Sequence, residues 1–396
     1  MNKQKAFIIL ISIFLSLAVH SQSVTPVVDG DMYSLEFNNI VFSVNASAGA
    51  KVSSYKLKGS ELLVQQADLS SEVSEYLWGS VLWPAPQSEF KSGWPPPMEL
   101  DDGDYTGQVI GNVMRFTSKE DMDNLDNKMQ FVKDFWADSD AGTISMGYTL
   151  INKGDTEITK ALWELVRVPV NGLTFWPTGP GGTWGDLADG TEEQIGHTWI
   201  DIDEESRRSL KFFADGSDGW LAHVDNKGRL YIKSFDDVNQ SDFADGEAEI
   251  ELWLADDYIE LETIGVTADI APEGEHHYDM TWYLVEVPDN ILVEIGSAQL
   301  VAFVNDVLEG KTTNTIDVPF AQSIIYPNPA SEFVKIKTET SSSLQLIITD
   351  YLGRAVMSAS VSDGESLNIA HLEKGIYYYQ LVDVTGEFIS GSIFKK

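Results

Sequence analysis

The sequence is 396 residues long, with 62 acidic against 26 basic side chains and a formal net charge of −36. An acidic surplus of this size makes nucleic acid and anionic lipid poor partners, and it identifies no ligand by itself. There is no cysteine, which excludes disulfides, thiolate metal sites and a thiol nucleophile. With 43% hydrophobic residues, a chain of this length must rely on large apolar cores and can supply two.

The first predicted element is a secretory signal peptide over residues 1–22. Lys3 and Lys5 precede an apolar run from residue 6 to residue 19, and small and polar residues follow it up to Ser23. The run is too short to span a bilayer comfortably, and no stop-transfer pattern comes after it. We therefore expect cleavage near residues 21–23 and a mature protein without a membrane span.

Short strands dominate the body of the chain, residues 24–290. In TISMGYTLIN, residues 143–152, alternate side chains are apolar and share one face of a strand. RLYIKSF, residues 229–235, alternates likewise, and EIELWLADDYIELETI, residues 249–264, predicts two strands around a central Asp-Asp turn. Because turn signals recur and no long amphipathic helix interrupts them, we predict an all-β body, whose length favours a large antiparallel sandwich.

Two stretches of the body are rich in tryptophan, proline and glycine. They are WPAPQSEFKSGWPPPMEL, residues 83–100, and GLTFWPTGPGGTWGD, residues 172–186. We interpret both as loops that form a rigid aromatic groove, because proline fixes the backbone and indole rings cover the C–H face of a pyranose. The alternative is that the tryptophans only pack at the ends of the sandwich. The candidate sugar-contacting residues are Trp83, Trp94, Glu99, Trp176 and Trp184.

A third candidate region is ALWELVRVP, residues 161–169. Trp163 is predicted to extend the aromatic groove, with Glu164 and Arg167 at its floor. An arginine there can bind a uronate carboxylate or a sulfate through two parallel hydrogen bonds. Its alternative role is structural, paired with one of the many acidic side chains.

The remaining acid–base candidates are His197, His223 and Glu251. Histidine titrates near neutrality, although each of the two has an ordinary alternative as a hydrogen-bonded structural residue. Glu251 shares one strand face with Trp253, with a surface position as the alternative. A lyase or dehydratase needs such a base plus a cation for the uronate, and a glycoside hydrolase needs two carboxylates at a set separation.

The body resembles the galactose mutarotase-like superfamily, and within it a bacterial family that carries the Trp-Pro-rich stretch and WELVRVP at residues 163–169. The similar stretches, in the expected order, are GAKVSSY (49–55), GSELL (59–63), YTLINKGD (148–155), YIELE (258–262), IAPEGE (270–275) and the closing strand at 280–287. The resemblance implies a β supersandwich whose concave face commonly holds a sugar.

One departure from aldose mutarotases affects the chemistry. Their strand after the Asn-Gly turn brings in a histidine that is the general acid, whereas this chain has no histidine between Val24 and Gly196. Ring opening needs a proton delivered to the ring oxygen, so Glu164 would replace the histidine if burial raised its pKa. Mutarotases place their general base on a late-strand glutamate, which makes Glu251 the corresponding candidate.

A helix is predicted near residues 297–309, within a connecting segment at 291–320. The last unit, residues 321–396, has short alternating strands separated by turn dipeptides and predicts a small antiparallel β-sandwich. It closely resembles the C-terminal sorting domain of the Bacteroidetes type IX secretion system. The matching residues are YPNP (326–329), DYLGR (350–354), KGIY (374–377) and the terminal Lys395-Lys396. This resemblance implies export by Sec and then by the type IX machinery, to the cell surface or beyond.

No G-x-S-x-G elbow, Walker loop, dinucleotide fingerprint or H-E-x-x-H motif occurs. We predict no cofactor; the acidic turns do not fit the twelve-residue calcium loop, which leaves an irregular Ca²⁺ site open. The sequence therefore predicts a secreted protein that binds or processes glycans, uronate-containing polysaccharide fragments among them, as in polysaccharide utilisation. As an enzyme it would be an epimerase, a lyase or dehydratase, or a hydrolase. The alternative is a non-catalytic structural or interaction protein of the cell surface.

Overall fold

The structure is a computed structural model that describes residues 23–69, 77–90, 95–122, 128–186, 190–203, 206, 209–311, 324–326, 329–337, 344–350, 354–362, 364–382 and 388–396. The predicted signal peptide lies outside these residues. The chain divides into two compact units, Met1–Asn314 and Thr315–Lys396. No helix among the described residues is long and apolar enough to cross a membrane.

The described part of the first unit contains two α-helices and a series of strands. The helices are α1 (Met98–Asp101) and α2 (Ala298–Leu308). The strands are β1 (Val27–Asp29), β2 (Met32–Phe37), β3 (Ile40–Asn45), β4 (Lys51–Leu57), β5 (Ser60–Glu61), β6 (Ser80–Ala85), β7 (Thr106–Ile110), β8 (Val113–Thr117), β9 (Asp121–Met122), β10 (Lys128–Asp138), β11 (Thr143–Asn152), β12 (Ile158–Val168), β13 (Gly172–Gly185), β14 (Glu192–Gln194), β15 (His197–Ile202), β16 (Leu210–Gly216), β17 (Trp220–Val224), β18 (Arg229–Phe235), β19 (Ile250–Leu254), β20 (Ile259–Ile264), β21 (Ala268–Ile270) and β22 (Glu275–Glu286).

Within the described residues these strands pair into two antiparallel sheets. Sheet one has the order β7-β8-β10-β11-β22-β18-β17-β13-β15-β14. Sheet two has the order β1-β2-β3-β4-β6-β12-β20-β19-β16-β13. Strand β13 belongs to both, because its first half pairs with β15 and β17 and its second half with β16. The predicted all-β fold, a large antiparallel sandwich followed by a small β unit, is confirmed.

The main core lies between the two sheets. Ile144, Met146 and Leu150, together with Tyr148, come from one face of β11 and are buried there, as their alternation predicts. Side chains of sheet two meet them, and Phe42 of β3 packs edge-on against Trp282 of β22 with ring centroids 6.0 Å apart. Each sheet therefore buries one face against the other and leaves one outer face.

The outer face of sheet one is partly covered by α2. Leu300, Val304 and Val307 of the helix pack in one buried cluster with apolar side chains of β13, β15, β17 and β18. The helix begins after Ser297, whose hydroxyl oxygen accepts a hydrogen bond from the backbone N–H of Leu300 at 3.3 Å. This is the helix predicted near residues 297–309.

The second unit is a separate small β structure with its own core. Its described strands are β23 (Ile324–Tyr326), β24 (Phe333–Lys337), β25 (Leu344–Thr349), β26 (Ala355–Val361), β27 (Ser366–Asn368), β28 (Gly375–Val382) and β29 (Phe388–Lys395). They form one sheet in the order β23-β24-β27 and another in the order β26-β25-β28-β29. Alternate apolar side chains of these strands share one buried cluster.

Candidate functional site

Strand β12 separates the predicted site residues onto two faces of sheet two. Its inward side chains, which include Leu162 and Val166, belong to the core between the sheets, whereas Trp163 and Leu165 belong to a different cluster on the outer face. Successive side chains of a strand point to opposite faces. Trp163 and Arg167 therefore share the outer face, and Glu164 lies on the inner one. Glu164 and Arg167 therefore do not lie together at the floor of one groove, which is where the sequence analysis places them.

An open pocket of about 540 Å³ lies on the outer face of sheet two. It is built where β6, β12, β16, β19 and β20 run side by side. We call it the outer pocket, and its lining residues are Trp83, Gln87, Ser88, Trp163, Lys211, Phe213, Asp245, Gly246, Glu247, Trp253, Tyr258 and Glu260.

Aromatic rings form much of the surface of the outer pocket. Trp83 and Trp163 sit opposite each other on β6 and β12, with ring centroids 5.1 Å apart and an interplanar angle of 83°. Their indole N–H groups donate to Asp101 Oδ1 at 2.6 Å and to Glu262 Oε2 at 2.8 Å. Both tryptophans are almost fully buried, so the aromatic surface that a ligand meets first belongs to Trp253 and Phe213, which are half-buried.

Arg167 and Glu260 form a buried ion pair at one side of the pocket. The Nε and Nη2 atoms of Arg167 lie 2.9 and 2.8 Å from Glu260 Oε1. The guanidinium group also lies over the rings of Trp83 and Tyr258, 5.6 and 5.5 Å from their centroids. Burial raises the pKa of Glu260 to about 7, although Arg167 acts to lower it. Glu260 is thus a pocket carboxyl group that can gain or lose a proton near neutral pH.

Lys211 is bound by two carboxylates behind the pocket lining. Its Nζ lies 2.7 Å from Glu251 Oε2 and 2.7 Å from Glu262 Oε2, and 5.1 Å from the centroid of the Trp163 ring. Glu251 is fully buried, and burial raises the pKa of its carboxyl well above the ordinary value while Lys211 opposes the shift. Glu251, proposed as a base from its position beside Trp253, is therefore close to the outer pocket but not part of its lining.

Glu164 occupies the inner side of the same sheet. It is fully buried, forms an ion pair with Lys233 of β18 and accepts a hydrogen bond from the Ser80 hydroxyl at 2.5 Å. Burial raises the pKa of the Glu164 carboxyl, while Lys233 and the Ser80 hydrogen bond act to lower it. A raised pKa is the condition under which the sequence analysis lets Glu164 replace the mutarotase histidine, but the side chain is directed at sheet one.

The two aromatic stretches differ from the loops that their composition predicts. Residues 83–85 of the first belong to β6 and its last residues to α1, with the described residues between them outside strands, whereas nearly all of the second is β13. Trp83 lies in β6, and Trp176 lies in β13, where it is fully buried in the core and stacks on Phe212 at 6.2 Å between ring centroids. Proline and glycine are tolerated in β13 because the strand changes partner there, from sheet one to sheet two. Trp176 therefore contacts no groove.

The other predicted aromatic and acidic contacts are scattered. Trp184, at the end of β13, is half-buried and stacks on Phe213 at 6.0 Å, so it supports one wall of the outer pocket from behind. Glu99 lies in α1, exposed, with Lys119 Nζ 3.7 Å from its Oε2. Trp94 lies outside the described residues.

The two candidate histidines belong to sheet one, on strands that do not contribute to the outer pocket. His197 in β15 is half-buried, with its Nδ1 2.9 Å from the carbonyl oxygen of Ile195. His223 in β17 is fully buried, with its Nδ1 2.9 Å from the Thr174 hydroxyl. Burial lowers the pKa of His223 to about 4, so it is neutral at physiological pH.

His223→Gln should remove an acid-sensitive contribution to folding. His223 has a pKa of about 4 when folded and an ordinary value of 6.5 when unfolded, so the unfolded chain binds its proton first. Stability attributable to the neutral ring is present above pH 6.5 and is lost as the pH falls toward 4, by about 3 kcal/mol in total. Denaturant unfolding between these pH values should show a shallower loss in the variant. His277→Gln, which removes an exposed histidine, should keep the slope of the parent protein, and equal slopes in all three proteins would contradict the assignment.

Several pocket residues were not predicted from the sequence. Glu260 and Glu262 stand at alternate positions of β20, among apolar residues that the core requires, and Lys211 stands in β16. Charged side chains that alternate with buried apolar ones in a strand are a usable signal, because they must all lie on the second face. This signal predicts the face of the sheet on which a side chain lies. It does not predict the neighbouring strands, because strand order depends on long-range pairing.

No group of three or more His, Asp or Glu side chains in the described part of the chain is arranged to hold a metal ion.

Comparison with known proteins identifies the second unit. Residues 324–395 match the family described as secretion system C-terminal sorting domain. The C-terminal unit is a type IX secretion sorting domain. The protein is accordingly exported to the cell surface or the extracellular medium. No curated protein sequence matches the chain.

Solved structures similar to the chain include several mutarotase-like proteins. A galactose mutarotase-like protein from Lactobacillus casei ATCC 334 has 11% identity and a TM-score of 0.48, over 64% of this chain and 100% of its own. A putative aldose 1-epimerase from Escherichia coli K12 has 11% identity and a TM-score of 0.44, over 65% and 99%. A TPR-domain containing protein from Parabacteroides distasonis ATCC 8503 has 14% identity and a TM-score of 0.45, over 71% of this chain and 55% of its own, so that the chain spans about half of that protein's length.

Proposed function

We propose that this exported protein binds a glycan in the outer pocket. The observation that carries the proposal is the combination of half-buried aromatic rings with buried charged groups in one open cavity of about 540 Å³. Cavities of roughly 300–1,000 Å³ with apolar walls and a few convergent polar groups are typical ligand sites. Export of the protein supports an extracellular polymer or its fragments as the ligand.

Trp253, Tyr258 and Phe213 are the proposed walls for a sugar ring. Aromatic faces cover the C–H face of a pyranose, and polar groups at the same site fix its hydroxyls. Glu260 and Lys211 supply an acceptor and a donor at the bottom of the cavity. Trp163 supports Lys211, since its indole N–H donates to Glu262, which binds Lys211. Trp83 supports Glu260 through the Arg167 guanidinium, which lies over the Trp83 ring and pairs with Glu260.

If the protein turns the glycan over, we propose Glu260 as the proton-transfer group. A general acid or base works best with a pKa near the operating pH, and burial raises the pKa of Glu260 to about 7. Glu164 also has a raised pKa, but it faces the core and is paired with Lys233. His197 and His223 lie on sheet one and are not assigned a role in this site.

The test is a titration of the purified protein with neutral, amino and uronate oligosaccharides, in which binding is monitored by tryptophan fluorescence and by calorimetry. Mass spectrometry of the same mixtures separates loss of water, cleavage and hydrolysis from simple binding. Binding of any glycan class supports the proposal. Absence of binding to every class would instead favour the alternative, a cell-surface structural protein, for which the burial of Trp83, Trp163 and Trp176 in packing clusters is the supporting observation.

Trp253→Ala should weaken glycan binding by about ten-fold or more. Trp253 is half-buried on the pocket wall, and loss of one stacking aromatic ring removes apolar contact together with its fixed orientation. Trp136→Ala is the matched control, because Trp136 is also half-buried in a strand but belongs to β10 of sheet one. Calorimetric titration of both variants should show loss only in the first. Equal affinities in the parent and in Trp253→Ala would place the binding site elsewhere.

A further inference from the structure

The side chains that line the outer pocket carry a surplus of negative charge. They are three carboxylates and one ammonium group: Asp245, Glu247, Glu260 and Lys211. The ammonium group is already bound by two further carboxylates behind the lining, Glu251 and Glu262. A negatively charged ligand would therefore enter a site in which Lys211, the only cation among the described lining residues, is already paired with two carboxylates.

The second cation near the pocket is also unavailable to an anion. Arg167 is fully buried, its guanidinium lies over Trp83 and Tyr258, and its ion pair is with Glu260. Nη1 and Nη2 of Arg167 have no hydrogen-bond partner in the described part of the chain, but Arg167 does not line the cavity, whereas Glu260 does. A uronate carboxylate or a sulfate in the cavity would therefore meet the Glu260 carboxylate and not the guanidinium group. Recognition of a uronate by Arg167, as the sequence suggests, is therefore disfavoured by the arrangement.

One oxygen of Glu260 is left for a ligand. Both contacts from Arg167 end on Oε1, at 2.9 and 2.8 Å, and no hydrogen bond or ion pair within the described residues reaches Oε2. Glu260 is nevertheless only 7% exposed and lines the cavity. Oε2 is not among the buried side-chain atoms of the described residues that lack a hydrogen-bond partner, so it is open to the cavity, where a carboxylate oxygen is an acceptor available to a ligand. The missing partner is an N–H or O–H group, and a charged donor satisfies it best.

The aromatic walls favour a cation as well as a sugar ring. An ammonium group within about 6 Å of a tryptophan or tyrosine ring centroid is attracted to the ring face. Lys211 uses this contact already, over Trp163 at 5.1 Å and over Phe213 at 5.8 Å. Trp253, which is half-buried and lies opposite Glu260 on the neighbouring strand, offers a further ring in the same cavity.

We propose that the outer pocket binds an amino sugar, with the ammonium group directed at Glu260 Oε2 and at the rim carboxylates of Asp245 and Glu247, and the pyranose ring on Trp253. The proposal rests on the proposed function, that this pocket binds a glycan, and it names the class of sugar. It names an amino sugar in place of the uronate that the sequence analysis gives as one candidate ligand.

The experiment is a calorimetric titration of the full purified protein near neutral pH with four β-1,4-linked tetrasaccharides. They are the glucosamine, N-acetylglucosamine, glucose and galacturonate tetramers. We expect the glucosamine tetramer to bind about ten-fold tighter than the two neutral ones, an advantage that decreases as salt is added, and the galacturonate tetramer to bind weakest. Equal or tighter binding of an uncharged or acidic tetramer would overturn the amino-sugar proposal and leave glycan binding intact. Absence of binding to all four would overturn both proposals. Equally tight binding of pentalysine would also contradict the amino-sugar proposal, because the pocket would then respond to positive charge and not to a sugar.

A pair of double variants tests the contribution of the rim carboxylates. Asp245→Asn with Glu247→Gln removes two negative charges, and the glutamine keeps an oxygen for the backbone N–H of Gln87, which Glu247 Oε1 accepts at 2.7 Å. Asp155→Asn with Glu157→Gln has the same spacing and charge change at exposed positions between β11 and β12. We expect the first double variant to lose most of the ten-fold preference for the glucosamine tetramer and the second to keep it. An unchanged preference in the first, with a normal unfolding transition, would contradict the assignment.

Discussion

Lys233→Met should lower the free energy of unfolding by about 3–5 kcal/mol, because it leaves one charge of a buried pair without its partner. Lys233 and Glu164 are both fully buried between the sheets, and Lys233 Nζ also donates to the carbonyl oxygen of Leu261 at 2.7 Å. After the substitution, Glu164 keeps the Ser80 hydroxyl at 2.5 Å as its hydrogen-bond donor. Denaturant unfolding followed by circular dichroism at neutral pH measures the loss.

The double variant Lys233→Met with Glu164→Gln separates charge from packing. It removes both charges, so its loss should be clearly smaller than that of the single variant. Burial raises the pKa of Glu164 above its unfolded value, so the folded state binds this proton more tightly than the unfolded chain does. The single variant should therefore regain stability as the pH falls below neutrality, and the double variant should not. Equal losses at every pH would contradict a charge-based cost. Because Glu164 faces away from the outer pocket, a folded double variant should keep its glycan affinity.

The architecture was predictable because each strand of the sandwich carries its own signal. The alternation at Ile144, Met146, Tyr148 and Leu150 identifies the core face of β11 without knowledge of its neighbours, and all four side chains are buried. The helix after Ser297 is equally local, since its cap and its apolar face are both in the sequence. Local patterning therefore sufficed for the type of these elements and for the fold class.

The site was predictable only in part, and the failures have separate causes. Trp163 and Arg167 were chosen together and do share a face, but Glu164 between them cannot, because adjacent side chains of a strand point opposite ways. Applying that rule to residues 161–169 would have removed Glu164 from the groove. The loop prediction for β13 is wrong for a different reason: its two prolines and its glycines mark the place where one strand passes between two sheets.

The charged groups of the pocket were beyond local reasoning. Lys211 comes from β16, Glu251 from β19 and Glu260 from β20, and their neighbourhood depends on the strand order β16-β19-β20-β12. Alternation places each side chain on a face, but it does not say which strands lie side by side. The ion pairs that set the charge of the pocket follow from that order alone.

Arg167→Met should cost about 3–5 kcal/mol of unfolding free energy at neutral pH and should make stability more dependent on pH. Arg167 is fully buried between the rings of Trp83 and Tyr258, with Glu260 as its ion-pair partner. Burial raises the pKa of Glu260 to about 7 while Arg167 acts to lower it, so the substitution should raise that pKa further. A carboxyl group with a raised folded pKa destabilises the fold as the pH rises through that value. Unfolding measured from about pH 5 to about pH 8 should show the largest loss at the alkaline end.

Two companion variants decide whether the Arg167 contribution is its charge or its shape. Arg167→Met with Glu260→Gln removes both charges and should recover much of the loss above neutral pH, where the lone carboxylate of the single variant is ionised. Arg167→Lys keeps the charge but not the planar group that stacks on Trp83 and Tyr258, so it should fall between the parent and Arg167→Met. Identical pH profiles for Arg167→Met and the double variant would show that Glu260 does not depend on Arg167. In that case Glu260 would not occupy Arg167, and the guanidinium group would be free to bind an acidic ligand. The amino-sugar preference relies on the Arg167–Glu260 pair, so uronate binding by Arg167 would have to be tested again.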